Sequence, residues 1–492
     1  MPLRYNGHQS IYPSLVVNHM NNKWHKIYFQ LCAATIITAM LPSDVLSDWP
    51  TYRADASRSG YTQDRLAAEL GNQWEFKLPH PPEPAWPRDE RMPFDRAPQI
   101  VAARDRVLFG STVDGKIYGL HAQTGELTWT FATDGPVRFA PTIWKDRAFC
   151  TSDDGYLYAL RLADGKLLWK KRGGLDDQMI LGNERLTSKW PARGGAAVVS
   201  GTVYFAAGIW PSDGIFLYAL DAETGATKWV NDSSGGIYMA QPHGGANARS
   251  GVSAQGYLVA SGDKLLMPTG RAVPAAFDRN TGKFLYFHLQ KYGHNGGAQT
   301  MAVGDLFFNS GIGFSASSGA KVSSILGGQI AATPNGMVRH LGSKVSAYRW
   351  VDGKTFDRRG NEQVQPTLEA IWEATGIAGG SSLIVAGDDV VCGGDDRVTI
   401  VDGSSHKARW SAELLGAAYG LTVYDGRLLV STDQGRIYCF GQGKTHRKDQ
   451  TQTLATSPYE NDGPIAAAAK EILTDGNTTP GTVSILVVVM EL

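Results

Sequence analysis

At 492 residues, 42% of them hydrophobic, the chain is long enough for a large buried core, and 57 glycines with 23 prolines suit a turn-dense structure rather than a run of long helices. Its 47 basic residues balance 47 acidic ones, which excludes a global field selecting nucleic acid or an anionic membrane and leaves charge-driven binding to local clusters. Four cysteines in so long a chain exclude a disulfide framework, though not a single pair.

In chain order the first signal is an export leader. Lys23 and Lys26 precede the mostly apolar stretch Ile27 to Leu41, and Val45-Leu46-Ser47 stands ahead of Asp48. This order predicts a signal peptide over 1–47, with Met20 as an alternative start. The apolar run is short for a spanning helix and Pro42 ends it, so no stable membrane insertion is expected after cleavage. The expected location is exported, periplasmic or extracellular. Cys32 follows Phe29-Gln30-Leu31, without the small residues of a lipid-attachment site.

Beyond the leader the chain repeats. Asp114 to Trp129, Asp154 to Trp169 and Asp213 to Trp229 are copies of one pattern. An Asp-Gly turn leads into an alternating strand such as Leu157-Tyr158-Ala159-Leu160, a second turn closes on glycine, and an indole ends the next strand. Weaker copies place Tyr286, Ser323, Trp372 and Trp410 where the indole stood. The last copy, Asp433 to Phe440, stops before any tryptophan, and the missing one is Trp74, in GNQWEFKLP ahead of the first repeat. Closing positions at Trp74, Trp129, Trp169, Trp229, Tyr286, Ser323, Trp372 and Trp410, about forty residues apart, predict an all-β fold: an eight-bladed β-propeller of four-stranded blades. An N-terminal strand around Trp74 is expected to close the ring, with the aromatic rings as wedges between blades that cannot bury both faces alone. The expected boundaries are 48–441 for the propeller, 442–463 for a linker and 464–492 for a separate tail.

The repeat resembles that of the quinoprotein-type propellers, the family of pyrroloquinoline-quinone (PQQ) alcohol dehydrogenases and of cofactor-free relatives such as the barrel-assembly lipoprotein, over residues 49–441. WPTYRADASRSGYT (Trp49 to Thr62), with MPFDRAP, MILGNERLTSKWPARGG and IYMAQPH, is similar more narrowly to exported propeller proteins, some of which carry a methyltransferase domain after the propeller. The resemblance implies fold far more than activity. From its dehydrogenases it implies PQQ and Ca2+, a vicinal cysteine disulfide above the quinone, carboxylate and amide oxygens on the ion, and a carboxylate base. This sequence has no Cys-Cys pair and no Cys-x-x-Cys-His for haem. The expectation is a ligand-binding or protein-assembly module without a cofactor, and the alternatives are a PQQ-dependent dehydrogenase and the propeller part of a longer protein with a C-terminal methyltransferase.

The candidate site residues lie in insertions. Connections are lengthened at Pro79 to Pro98, Arg172 to Gly195, Asn231 to Gly256 and His288 to Gln299, and long loops of a closed ring gather at one end. Where they return to the blades stand Arg96, Arg138, Arg193 and Arg249, at the starts of the innermost strands. Brought together, their planar forks suit carboxylate, sulfate or phosphate. Aligning the prolines sets Arg138 opposite Asp95 rather than Arg96, and the alternative is four arginines paired with blade acids or solvated. Trp190, Tyr238, His243 and Arg271, in or near the same loops, offer stacking and hydrogen bonds to a sugar-like ligand. The expected partner is an acidic small molecule or saccharide, or a protein, at the long-loop face. Asp153-Asp154 and Asp395-Asp396 read as turn residues rather than calcium ligands, and His243, His288 and His294 lack metal-ligand spacing. Cys150, Cys392 and Cys439 sit in apolar strand-like runs and are expected to pack.

The C-terminus breaks the pattern. GPIAAAAKEILTDG reads as a helix begun at Pro464 and stopped at Gly476, and GTVSILVVVMEL as an apolar strand without a partner. Read two bases on, the codons for Thr482 to Glu491 permit YCLDFGCGDG, the glycine-rich loop of an adenosylmethionine-binding domain. On this expectation 464–492 is the truncated or frameshifted start of a possible methyltransferase domain. The plainer alternative is a tail that packs on the propeller or is disordered.

Overall fold

The computed structural model describes residues 48–451 apart from 183–184, 242–244, 271, 290–295, 325–326, 357–361 and 445–447. The expected leader and the tail 464–492 lie outside the described residues. Among the described residues, eight antiparallel sheets follow one another as blades 1 to 8: 101–132, 142–172, 194–231, 259–286, 300–324, 329–375, 382–413 and 418–442. Blade 8 has three strands of its own, and its fourth is Leu70–Lys77, antiparallel to Arg436–Gln442 with Trp74 opposite Cys439. The protein is thus an all-β, eight-bladed propeller whose ring is closed by an N-terminal strand. Lys448–Thr451, within the stretch read as a linker, adds a parallel strand outside Leu70–Lys77.

Stacking explains the repeat. The third strand of a blade has neighbours on both faces, so Tyr156–Arg161 buries four consecutive residues, Leu157 to Leu160, while the outermost strand Leu167–Arg172 buries none. Where an outer strand carries a closing aromatic, that ring reaches into the next blade. Trp129 Nε1 donates to Leu162 O at 3.1 Å, Trp169 to Glu223 O at 3.1 Å, Trp229 to Arg279 O at 3.2 Å, and the Tyr286 hydroxyl to Ala316 O at 2.8 Å. Trp410 donates to Leu70 O at 2.9 Å and Trp74 to Ala122 O at 3.1 Å, so the last two wedges run across the closure. The turn glycine of the repeat belongs to the same contact. Gly165 has φ +71°, and a Cβ on it would come within 2.5 Å of the Trp129 ring. In blade 7 His406 takes that place at φ 58° and stacks on Trp372, 4.7 Å between ring centroids.

An eight-fold ring leaves the inner edges of its first strands unpaired, and Trp49 to Thr62 pairs those of blades 1, 2 and 4 to 7 from the axis. Trp49 exchanges two backbone hydrogen bonds with Ala102 of blade 1, and Ile143 of blade 2 donates to Pro50 O at 2.7 Å. Ala260, Ala302, Ala332 and Val385, of blades 4 to 7, donate in turn to Ala56, Ser57, Ser59 and Gly60 at 2.8–2.9 Å. Tyr61–Thr62 then runs parallel to Ser382–Ala386 of blade 7. Inside this segment Arg58 is fully buried and makes no ion pair among the described residues. It donates to Leu258 O, Ala196 O, Tyr52 O, Asp55 O and Thr51 Oγ1, and lies over the Tyr257 ring at 5.5 Å. Burial lowers its pKa to about 10.

Candidate binding site at the loop end

The long connections do meet at one end, and the one spanning Pro79 to Pro98 roofs the axis. Trp86 Nε1 donates to Gln255 Oε1 at 3.1 Å, Ala298 N donates to Arg91 O at 2.8 Å, and Phe94 stacks on Phe139. Arg185, from the hairpin of Met179–Gly182 with Arg185–Ser188, donates to Thr112 O and Val113 O and pairs with Glu83.

Under this roof Arg138 and Arg193 come together on one acid. Arg138 Nε donates to Asp153 Oδ2 and its Nη1 to Asp95 Oδ2, both at 2.6 Å, with Glu83 O at 3.1 Å from Nη1. Arg193 forks onto both oxygens of Asp153 at 2.9 and 2.8 Å and lies over the Trp86 ring at 5.9 Å. The four charged side chains are at most 4% exposed. Burial pushes Asp153 up, but its two guanidinium partners outweigh this and hold it at about 2. Burial raises Asp95, which has one such partner and an Oδ1 without a hydrogen bond. Asp153 is therefore the acid that ties roof, blade 2 and blade 3, a role its turn position hid, whereas Asp154 caps the turn by accepting from Tyr156 N at 2.9 Å.

The other candidates stand apart. Arg96 is half-buried on the Tyr419 ring at 5.8 Å, its Nη1 3.3 Å from the Tyr419 hydroxyl, with no carboxylate partner among the described residues. Arg249 and Tyr238 are cross-strand neighbours in an exposed hairpin, where Arg249 donates to Gly236 O at 3.3 Å. Trp190 is 3% exposed, donates to Asp213 O at 2.6 Å and packs in the core between blades 2 and 3. His243 and Arg271 lie outside the described residues.

Beside Arg96 the roof ends and a crevice opens over blades 5 to 8. Its walls are the starts of innermost strands, Gln99, Gln299, Gln329, Ser381, Ser382 and Tyr419, and its floor is Tyr52 and Arg53 of the axial segment. The lining contains no carboxylate. Arg53 spends its donors on carbonyls, those of Arg58, Leu383, Ser59 and Ile330, with no carboxylate among these acceptors. Burial lowers its pKa. The side-chain amides of Gln299 and Gln329 make no hydrogen bond among the described residues. The crevice, and a second one sharing Tyr52, Arg53, Gln299 and Gln329, each leave about 30 Å³, room for an end group rather than a ring system. On the outside of the roof, Trp86, Arg88 and Arg91 border an open notch of about 530 Å³. Reading the loops alone missed the crevice. Its signal was present in the sequence: Gln99, Gln255, Gln299 and Gln329 recur at the entry of an innermost strand.

These features define a propeller of PQQ-like repeats with a basic, amide-lined mouth. The model of the family described as outer membrane protein assembly factor BamB matches residues 71–189, from the closing strand to the end of the first roof hairpin. No curated protein matches the sequence. Among solved structures, the quinohemoprotein alcohol dehydrogenase from Comamonas testosteroni is similar at 14% identity and a TM-score of 0.55, covering 88% of this chain and 85% of its own. A europium-containing methanol dehydrogenase is similar at 13% identity and 0.54, covering 80% and 98%. BamB from Moraxella catarrhalis is similar at 15% identity and 0.36, covering 76% and 100%. At such identities the likeness is one of fold.

Proposed function

We propose that this protein is an exported, non-catalytic binding module whose ligand is an acidic small molecule or saccharide held at the loop end of the axis. The observation that carries this reading is the crevice beside Arg96. Arg53 lines a crevice with no carboxylate, Arg96 lies on the ring of Tyr419 that forms one of its walls, and the amides of Gln299 and Gln329 await partners. An isolated cationic mouth with spare amide donors suits a carboxylate or sulfate end group. The ring of Trp86, with Arg88 beside it, offers a stacking surface for the rest of a sugar, and the exposed Tyr238 and Arg249 pair offers a second. Arg138 and Arg193 act by holding the roof.

The quinone-and-cation alternative does not fit the residues present. Crevices of about 30 Å³ are too small for a three-ring quinone. Of the buried acids at the loop end, Asp95 and Asp153 are held by arginines, and Asp154 by the Tyr158 hydroxyl and the backbone amides of Tyr156 and Asp134. No group of three His, Cys, Asp or Glu side chains among the described residues is placed to hold a metal ion.

Calorimetric titration with oligogalacturonate, glucuronate and sulfate tests the proposal. Arg96→Ala should weaken binding of the acidic sugars about tenfold, the cost of one charge-assisted contact, and raised salt should mimic it. Binding indifferent to both changes, or shown equally by neutral oligosaccharides, would overturn the reading.

A further inference from the structure

At the end of the ring opposite the roof, the interface between blades 5 and 6 departs from the repeat on both sides at once. Blade 5 carries Ser323 at the closing position, so it has no ring to insert, and the turn that would receive it in blade 6 is replaced by a long ribbon. The strands Lys344–Phe356 and Glu362–Thr375 pair along their whole length, whereas the preceding strand Gly336–Leu341 accompanies the first of them only as far as Arg349. From Val351 onward that strand has a described neighbour on one side only. The ribbon leans over blade 5, where Trp350 and Leu368 pack with Phe308, Val303 and Leu306, and between them lies an open groove of about 620 Å³.

We propose that this groove receives an extended segment of a partner polypeptide that carries a basic residue beside apolar ones. The groove is lined by Val303, Leu306, Val322 and Trp350, which gives an arriving strand an apolar surface in place of the absent wedge. Asp305 and Asp352 also line it, neither has an ion-pair partner among the described residues, and no basic residue is in the lining. Two uncompensated acids on an apolar groove favour a ligand that brings positive charge. The open edge from Val351 supplies backbone donors and acceptors, which a strand satisfies and a compact cation does not.

The test uses the full chain and a fluorescein-labelled peptide, acetyl-Val-Lys-Val-Arg-Val-Lys-Val-amide, followed by anisotropy. Binding should weaken at least tenfold in Asp352→Lys and in Asp305→Lys, both exposed positions whose variants should keep the wild-type melting temperature. It should be lost when the central Arg of the peptide is flanked by prolines or when its basic residues are replaced by Glu, and be unchanged in Arg96→Ala. The proposal is overturned if the Glu peptide binds as well, if the charge reversals have no effect, or if the proline peptide or benzylammonium competes as well as the strand.

Discussion

Asp153 holds two guanidinium groups where none of the three side chains meets water, and that fixes what its loss must do. Asp153→Asn leaves Arg138 and Arg193 buried with one acid between them, and removing one partner from a buried charge network costs about 3–5 kcal/mol. The expected outcome is a lower unfolding free energy by chemical denaturation and faster proteolysis in the roof loop 79–98. The pH dependence has a definite sign. The folded pKa of about 2 lies below the ordinary 3.8, so the stability that Asp153 contributes is fully present above that value and is lost as pH falls toward 2. Asp95 runs the other way, because its raised pKa makes ionisation a cost as pH rises above 3.8. Asp153→Asn should therefore flatten the lowest part of the acid limb, and an unchanged limb in the variant would refute the assignment. At the cysteines burial decides reactivity: Cys392 and Cys439 are pushed up to about 12, and both should resist iodoacetamide until the chain unfolds.

At the scale of the element, indole and glycine form one joint. Trp129→Ala removes a 7%-exposed ring and leaves Leu162 O without its donor, an expected loss of about 3–5 kcal/mol. Gly165→Ala attacks the same joint from the other side, through a left-handed φ and a Cβ directed at that ring. The backbone part alone costs roughly 1–2 kcal/mol. Because both substitutions break one contact, the double variant should lose less than the sum, which denaturant titration of all three proteins decides. Deleting the chain through Leu78 removes Leu70–Lys77 and the Trp74 wedge together with the axial segment Trp49 to Thr62, and exposes an edge of blade 8. The truncated protein should aggregate, and a monomer with an unchanged melting transition would contradict the closure.

The joints also explain how much of the molecule was legible in its sequence. A wedge demands an aromatic and a glycine at fixed spacing, so seven of the eight closing positions from Trp74 to Trp410 show an aromatic, and Ser323 is placed by spacing alone. Asp395-Asp396 was rightly read as a turn, with Asp396 accepting from Gly416 N at 2.8 Å. Which way a loop residue turns depends on what folds over it. Hence the positions of Arg138 and Arg193 were visible but their shared acid was not, and Trp190 looked like a ligand platform although its indole closes a gap between blades. The axial segment was opaque for the same reason. Trp49 to Thr62 has no alternation, because its partners are backbone edges of successive blades rather than a single face.

For the whole molecule that segment has a consequence beyond any single blade. Its carbonyls satisfy amides of Ile143, Ala260, Ala302, Ala332 and Val385, which belong to five different blades. Those amides should exchange with solvent only when the segment leaves the axis, and should do so as one group although they are far apart in sequence. Arg58 is the residue that makes leaving costly, since its departure strands the carbonyl of Leu258 and leaves that of Ala196 with the Thr142 hydroxyl alone. Arg58→Met keeps most of the buried volume and removes the donors. Native-state hydrogen exchange should then show all five amides accelerated together by at least tenfold, while Gly165 N, bonded within its own turn to Arg161 O, keeps the wild-type rate. Acceleration of one or two of the five would mean that each blade holds its own edge and that the axial segment is not a common lock.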